Sequence, residues 1–314
     1  MRTGAPLARR DEKLSPGAKG ALLVNMTRPL SLFWMVTGIV VTSLSPPARG
    51  QDAEWSQSKH SRAGLEVDIW PTDGPGDTDT TTVVFTPTMQ IGVTDHVFID
   101  GEFPLAFTDF SSDFFDESDT VLGNFGVGAH YADEENDILD GLGWWAGGML
   151  VFPTMLADFD DPGFDRGINV GRAATIRGFA QAHRFAPETI AIRGEGGVEL
   201  RFVDRILRYR GLAAPVVYAN YDGGDAEFFL EQINDFDARA NFGLGGGVRV
   251  QNVFTWTQED LIQGAAGPYL LYETPSLPGG FARLGVLIAI DEDLGPGTDD
   301  GGLLTVNLSG GGKW

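Results

Sequence analysis

The sequence predicts an all-β protein, a transmembrane antiparallel β-barrel of about twelve strands. Three observations predict it: an export signal at the start of the chain, a two-residue alternation of apolar and polar side chains, and an aromatic residue that closes the last alternating segment. A two-residue period is typical of strands, and strands of about ten residues are long enough to cross a bilayer at a tilt.

The start of the chain has the three parts of a secretory signal peptide. Arg28 supplies a basic flank, Leu30–Leu44 is an apolar run of 15 residues, and small residues stand three positions and one position before Gln51. Together these features are typical of a signal peptide cut before Gln51. The alternative is a membrane anchor, but the run is shorter than the roughly 20 residues that a spanning helix needs.

The signal peptide divides the chain into two parts. We expect residues 1–50 to be removed on export and residues 51–314 to form the barrel. Met26 lies just before the basic flank, so residues 1–25 could also be an extension upstream of the natural start.

Alternation carries the strand prediction. In 83–93 the odd-numbered residues are largely apolar, whereas Thr82, Thr86, Thr88 and Gln90 occupy even positions, and the same period runs through 97–107, 190–202 and 242–250. A soluble β-sandwich also alternates, but its strands average about five or six residues. The further predicted strands lie near 62–70, 121–131, 141–153, 170–185, 208–221, 262–273, 281–291 and 302–314.

The predicted connections alternate in length, as they do in outer-membrane barrels. Three connections are short: 94–96, 186–189 and 275–280. Four are long and polar: 71–80, 108–120, 154–169 and 291–301. The stretch 203–240 is less regular, so the strands there are the weakest part of the pattern.

The last segment ends on an aromatic residue. Counting back by twos from Trp314 places Leu308, Val306 and Leu304 on the same face. A terminal aromatic that closes an alternating strand resembles the signal read by the bacterial barrel-assembly machinery. The resemblance implies that this machinery and the lipids of the cell outer membrane are partners, with the C-terminus on the periplasmic side.

Two further segments carry a family resemblance. Thr94 and Asp95 form a short turn before 98–104, and the glycine-rich strand 147–154 precedes an acidic stretch at 158–166. This order is similar to that of transporter-like barrels assigned to a phenol-degradation (MetA-type) pathway. The resemblance implies uptake of small organic solutes.

Composition excludes several functions. The 314-residue chain has no cysteine, which excludes disulfides and thiolate chemistry, and its formal charge of −22 argues against nucleic-acid binding. Phosphate-loop and nucleophile-elbow motifs are absent from the sequence. His130 and His183 have no serine partner that the sequence identifies, so we expect no catalytic residue and no cofactor.

Three acidic runs are predicted to be solvated surface loops. They span Asp109–Asp119, Asp158–Asp165 and Asp291–Asp300. Calcium binding is the alternative, since calcium prefers oxygen ligands, but the order of the acids does not fit an EF-hand. We therefore expect no protein-bound metal.

Function is expected in the lumen. Strand parity points both acidic and basic side chains inward. The acidic candidates on early strands are Glu66, Asp68, Asp100 and Glu102, and the later candidates are His130, Arg177, Arg193, Glu195, Glu199, Arg201, Arg249, Arg283 and Lys313. An acidic wall facing a basic wall would orient charged solutes, whereas charges that pair with one another would fill a closed lumen.

These alternatives lead to three functional hypotheses. The first is an outer-membrane channel or transporter-like barrel for small solutes, without chemistry. The second is a non-conducting structural or adhesive barrel. The third is a barrel-embedded lipid hydrolase that uses His130 or His183.

Overall fold

The computed structural model is almost entirely β-sheet. It describes residues 60–74, 78–112, 116–133, 142–155, 164–203, 206–220, 226–240, 242–255, 261–274, 278–290 and 302–314. The predicted signal peptide and its cleavage site before Gln51 lie outside these residues. Among them, no helix is long and apolar enough to cross a membrane.

Fourteen strand segments, one α-helix and one 3-10 helix make up the described structure. The strands are β1 (Arg62–Gly74), β2 (Thr78–Gly92), β3 (Val97–Glu102), β4 (Leu105–Ser111), β5 (Asp116–Leu122), β6 (Phe125–Asp133), β7 (Leu142–Phe152), β8 (Thr189–Phe202), β9 (Leu207–Asn220), β10 (Glu227–Arg239), β11 (Leu244–Thr255), β12 (Leu261–Glu273), β13 (Gly279–Ala289) and β14 (Leu304–Lys313). Helix α1 is Phe164–Thr175, and the 3-10 helix is Ala182–Phe185.

The sheet is closed and antiparallel. β1 pairs with β2 on one side and with β14 on the other, so the sheet has no free edge at its termini. β3 and β4 both pair with β2 and are two halves of one strand, interrupted at Pro104, which lacks a backbone N–H. β5 and β6 are likewise halves of one strand, interrupted at Gly123. The fourteen segments therefore make the twelve-stranded barrel that the sequence predicts.

The barrel is apolar outside and polar inside. Met89 and Ile91 of β2 face outward and are 50% and 43% exposed, whereas Thr86 and Gln90 face the lumen and are almost fully buried. The same alternation runs along the other long strands. An apolar exterior around a polar interior is the pattern of a transmembrane barrel, because lipid surrounds the outer face.

Two predicted loops are largely strand. The prediction that 71–80 and 108–120 are long loops is wrong: β1 continues to Gly74, β2 begins at Thr78, and the β4–β5 hairpin occupies 105–122. Three of the ten residues in 71–80 are threonine, and 108–120 contains two threonines and three phenylalanines. β-branched and aromatic side chains favour strands even in a polar sequence.

The segment between β7 and β8 is not a strand. The prediction of a strand over 170–185 is wrong, since these residues form the end of α1, a turn and the 3-10 helix. The predicted short connection at 186–189 is the end of one long connection that begins after Phe152. Val170, Ala173 and Ile176 are buried at three-residue spacing, which is a helical period.

Glycine is required where Trp145 lies against the wall. A Cβ at Gly197 of β8 would collide with the Trp145 indole ring on β7, whereas at the neighbouring, outward-facing Gly196 its nearest contact would be 4.0 Å away. We expect Gly197→Val to destabilise the barrel by about 1–3 kcal/mol, since overpacking displaces the indole. Gly196→Ala is the control. Equal urea-unfolding midpoints for the two variants would contradict this prediction.

Candidate functional site

The connection between β7 and β8 folds into the lumen and crosses it. We call residues 164–186 of this connection the plug. Its side chains and backbone bond to wall strands around the whole barrel. These contacts join Asn169 to Thr108 of β4, Arg177 to Asp68 of β1, Gln181 to Glu231 of β10, His183 to Glu102 of β3, and the Ile176 carbonyl to Thr305 of β14. The plug therefore closes the lumen in this structure.

The helical half of the plug is held by an apolar cluster. One face of α1 and the turn after it pack against inward-facing side chains of the wall. The buried members are Trp70, Val84, Ala106, Val121, Met155, Val170, Ala173, Ile176, Phe185, Ala289 and Leu303. This end of the lumen is packed in the same way as a small protein core.

Arg172 fixes α1 to the β1–β2 hairpin. Its guanidinium donates to the hydroxyls of Thr82 and Thr72 at 2.7 and 2.9 Å and to the Trp70 carbonyl at 3.0 Å, and it stacks on the Trp70 ring at 4.1 Å. Burial lowers the pKa of Arg172 to about 10. Neutral acceptors and an aromatic face therefore hold this cation.

The turn after α1 has an unusual backbone. Phe179 and Gln181 have φ angles of 62° and 67°, in the left-handed region that favours glycine. Such residues cost about 1–3 kcal/mol each and persist where the surroundings enforce them. Here the wall enforces them, because Gln251 donates to the carbonyl of Arg177 and Glu231 accepts from the Gln181 amide.

Beyond this turn the plug is held by charge. We call these contacts the latch: Arg177, His183 and Arg184 of the plug with Glu66, Asp68, Glu102 and Glu231 of the wall. The Arg177 guanidinium lies 2.8 Å from Asp68 and 3.2 Å from Glu66. Arg184 lies 3.0 Å from Glu66 and 2.7 Å from Glu102. His183 lies 3.0 Å from Glu102 and 3.8 Å from Glu231.

Burial makes the latch sensitive to loss of a partner. All of its side chains are at least nine-tenths buried. Burial opposes the charged form of His183, but the hydrogen bond to Glu102 and the negative charges of Glu102 and Glu231 outweigh it and raise the pKa of His183. Removing one member of a buried pair leaves an uncompensated charge, which typically costs about 3–5 kcal/mol.

A second set of ion pairs joins wall strands to one another. It lies toward the end of the barrel at which β1 begins and β14 ends, which we call the terminal end. Its carboxylates are Glu199, Asp235, Asp237 and Glu273, and its cations are Arg201, Arg208, Arg210, Arg239, Arg249, Arg283 and Lys313. These charges pair within the wall and hold neighbouring strands together.

The structure places the predicted lumen residues as follows. The early acids Glu66, Asp68 and Glu102 meet plug cations, and Arg177 lies on the plug rather than on a strand. The later basic residues meet carboxylates of their own wall, as Arg193 does with Glu195 at 2.7 Å. The charges are therefore paired rather than divided between an acidic and a basic wall.

Sequence reasoning missed several lumen charges. They are Arg184 on the plug and Arg208, Arg210, Glu231, Asp235, Asp237, Arg239 and Glu273 on the wall. Two-residue spacing in Arg208 and Arg210, and again in Asp235 and Asp237, is the signal that could have placed them on one face.

A vestibule lies between the plug and the terminal end. It is a cavity of about 90 Å³. Gln181 and Arg184 of the plug line it, together with wall residues that include Arg62, Asp100 and Glu195. Three latch side chains, Glu66, Glu102 and Arg184, also line the vestibule.

Among the residues that the structure describes, neither candidate histidine forms a hydrogen bond with a serine. The His130 imidazole lies 2.5 Å from Asp100 and stacks on Phe98, and His183 belongs to the latch. Both are 3% exposed or less and face the lumen, so a lipid ester at the outer surface does not reach them. This placement disfavours the lipid-hydrolase hypothesis.

The described residues include only part of the three acidic runs. Asp291–Asp300 lies outside the described residues, and Asp158–Asp165 enters them only where α1 begins. Within the described part of the chain, no group of three or more histidine or acidic side chains is arranged to hold a metal ion.

A closed twelve-stranded barrel with an apolar exterior and a charged lumen defines the class of outer-membrane β-barrels. No protein-family model and no curated protein sequence matches the chain. An outer membrane channel from Pseudomonas putida F1 has a TM-score of 0.57, with 11% identity over 85% of this chain and 100% of that one. That similarity is one of fold.

Two other solved barrels are less similar. The β-domain of the Bordetella autotransporter BrkA has a TM-score of 0.44, with 10% identity over 81% of this chain and 100% of that one. A mutant of the TodX monoaromatic hydrocarbon channel has a TM-score of 0.42, with 11% identity over 87% of this chain and 96% of that one.

Proposed function

We propose that this barrel is an outer-membrane channel for small solutes and that the plug is its gate. The observation that carries the proposal is the latch: a segment of the chain crosses the lumen and is bound there by charged side chains above an accessible vestibule. Charged contacts can be exchanged for contacts to water or solute when the plug moves, whereas a lumen filled only by wall side chains has no movable part.

We further propose that the terminal end faces the periplasm. The connections there are short, which is typical of periplasmic turns. Leu304 and Trp314 of the last segment are exposed on the outer face, where the barrel-assembly machinery and outer-membrane lipids would meet them. The resemblance to transporter-like barrels of phenol degradation favours small organic molecules as solutes.

Conductance of the purified protein in a planar bilayer tests the proposal. We expect brief, rare steps, since the plug is closed in its resting state, and a reversal potential under a salt gradient that reports the ion preference of the lumen. Liposome uptake of phenol and of glucose would then separate aromatic from sugar solutes. A folded barrel without steps at any voltage would contradict the channel.

The apolar cluster around α1 favours a second function. Its eleven buried residues join the plug to the wall as a protein core does, which suits a non-conducting structural barrel. If the barrel is a non-conducting structural protein, neither the wild type nor variants that break the latch would conduct.

The latch predicts that opening depends on pH. At low pH His183 is charged and the latch is complete. As the pH rises through its raised pKa, His183 loses its charge while Glu102 and Glu231 keep theirs. Arg184 and Arg193 stay charged throughout. We expect the open fraction to rise as the pH is raised above the ordinary histidine pKa of about 6.5, and the His183→Gln variant to flatten this profile. A wild-type profile without slope would contradict the prediction.

A further inference from the structure

The outer surface of the barrel carries polar side chains where lipid is expected. Gln232 and Asn234 of β10 and Asn252 of β11 point outward, as their strands' alternation requires, and we call them the amide patch. Gln232 lies directly opposite Asn252 across the β10–β11 pair.

The amide patch lies in the middle of the apolar band. On β10 it is preceded by the outward-facing Phe228 and Leu230 and followed by Phe236 and Ala238, so two outward apolar residues stand on either side. In the other described strands, outward-facing polar side chains lie near a strand end, as Thr81 and Asp109 do. The patch is therefore at a depth where the surrounding lipid is hydrocarbon.

Two of the three amides have no hydrogen-bond partner in the part of the chain that the structure describes. Asn234 accepts a hydrogen bond from the Tyr209 hydroxyl at 2.8 Å. The side chains of Gln232 and Asn252 make no hydrogen bond with any residue that the structure describes. Hydrocarbon offers no donor or acceptor, and lipid headgroups lie at the surfaces of a core about 30 Å thick. Lipid therefore cannot satisfy these two side chains.

Small residues flank the patch on both sides. Ala213 of β9 lies opposite Gln232. Gly211 lies opposite Asn234, but the Tyr209 side chain covers it and leaves no open space there. Gly264 of β12 lies opposite Asn252. Small residues let two membrane proteins approach closely. Interfaces between transmembrane helices likewise contain both small residues and hydrogen-bonding polar side chains.

We propose that the amide patch is the interface of a homodimer in the membrane. An amide donates and accepts, so the patch is complementary to itself across a two-fold axis along the membrane normal. Two copies of the chain also place the patch at the same depth, whereas another protein would need amides at that depth by coincidence. A two-fold interface of this kind is the commonest in homo-oligomers.

Crosslinking tests the dimer directly, because the chain has no cysteine. The full-length chain is expressed with Ala213→Cys on β9, beside the patch, or with Met89→Cys, an exposed position on β2, five strands from β9 around the barrel. Outer membranes are treated with a short bismaleimide, and the mass of the product is measured. We expect the dimer yield from Ala213→Cys to exceed that from Met89→Cys by about fivefold or more.

Removing the amides completes the test. In the Ala213→Cys background, Gln232→Leu with Asn252→Leu should reduce the dimer yield to that of Met89→Cys, while the heat-dependent gel shift shows that the barrel is folded. Equal yields from the two cysteine positions would overturn the proposal, as would a dimer that survives loss of the amides. A product at another mass, without one at twice the monomer mass, would identify a different partner and also overturn it.

Discussion

Substituting both arginines of the latch should open the channel. In the Arg177→Met/Arg184→Met variant, the carboxylates of Glu66, Asp68 and Glu102 face one another without the two cations that separate them in the closed state. Breaking a buried pair costs about 3–5 kcal/mol, and about 1.4 kcal/mol corresponds to a tenfold change in an equilibrium. We therefore expect the open fraction in single-channel recordings to rise at least about tenfold.

A matched variant separates gating from a general loss of lumen charge. Arg201 and Lys313 also face the lumen, and they pair with Glu199 and Glu273 of the wall at 2.5 and 3.2 Å. Arg201→Met/Lys313→Met removes the same charge without removing a latch cation, so its open fraction should stay near that of the wild type. If both double variants conduct equally, the latch does not gate the channel. A heat-dependent gel shift in both establishes that each barrel is folded.

The barrel was predictable because its signal is periodic. Lipid outside and a polar lumen inside impose a two-residue alternation on each strand, so Met89 and Ile91 could be placed outward and Asp100 and Glu102 inward from sequence alone. Pro104 and Gly123 interrupt two strands without changing the strand number, because the pairing continues on either side of them.

The plug was not predictable by the same rule. Residues 170–185 contain small and apolar side chains that fit a strand as well as a helix, and a segment inside a barrel needs no lipid-facing side. Arg177 was placed in the lumen by an incorrect strand parity, while Arg184 was missed. Which carboxylates these cations meet depends on the path of the plug across the lumen, and that path is set by contacts between distant strands.

The plug is stabilised differently along its length. Around α1 it is held by apolar packing and by Arg172 with its neutral partners. Beyond the strained turn at Phe179 and Gln181 it is held by buried ion pairs. Movement of α1 away from the wall would expose the apolar cluster, whereas movement of the rest of the plug would separate the buried ion pairs of the latch. We infer that opening requires both loss of the latch contacts and release of α1 from its cluster.

Fixing α1 to the wall should therefore close the channel even when the latch is broken. The Thr108 hydroxyl donates to the Asn169 amide oxygen at 2.9 Å, so a pair of cysteines at these two positions, with their short side chains, can be bridged by a short bifunctional thiol reagent. We expect bridging of Thr108→Cys/Asn169→Cys in the Arg177→Met/Arg184→Met background to reduce the open fraction at least about tenfold, which cancels the gain from the broken latch. Each single-cysteine variant, treated in the same way, controls for the reagent and should keep conducting. If a bridged barrel conducts as freely as an unbridged one, solutes pass beside α1, and movement of the latch alone is enough to open the lumen.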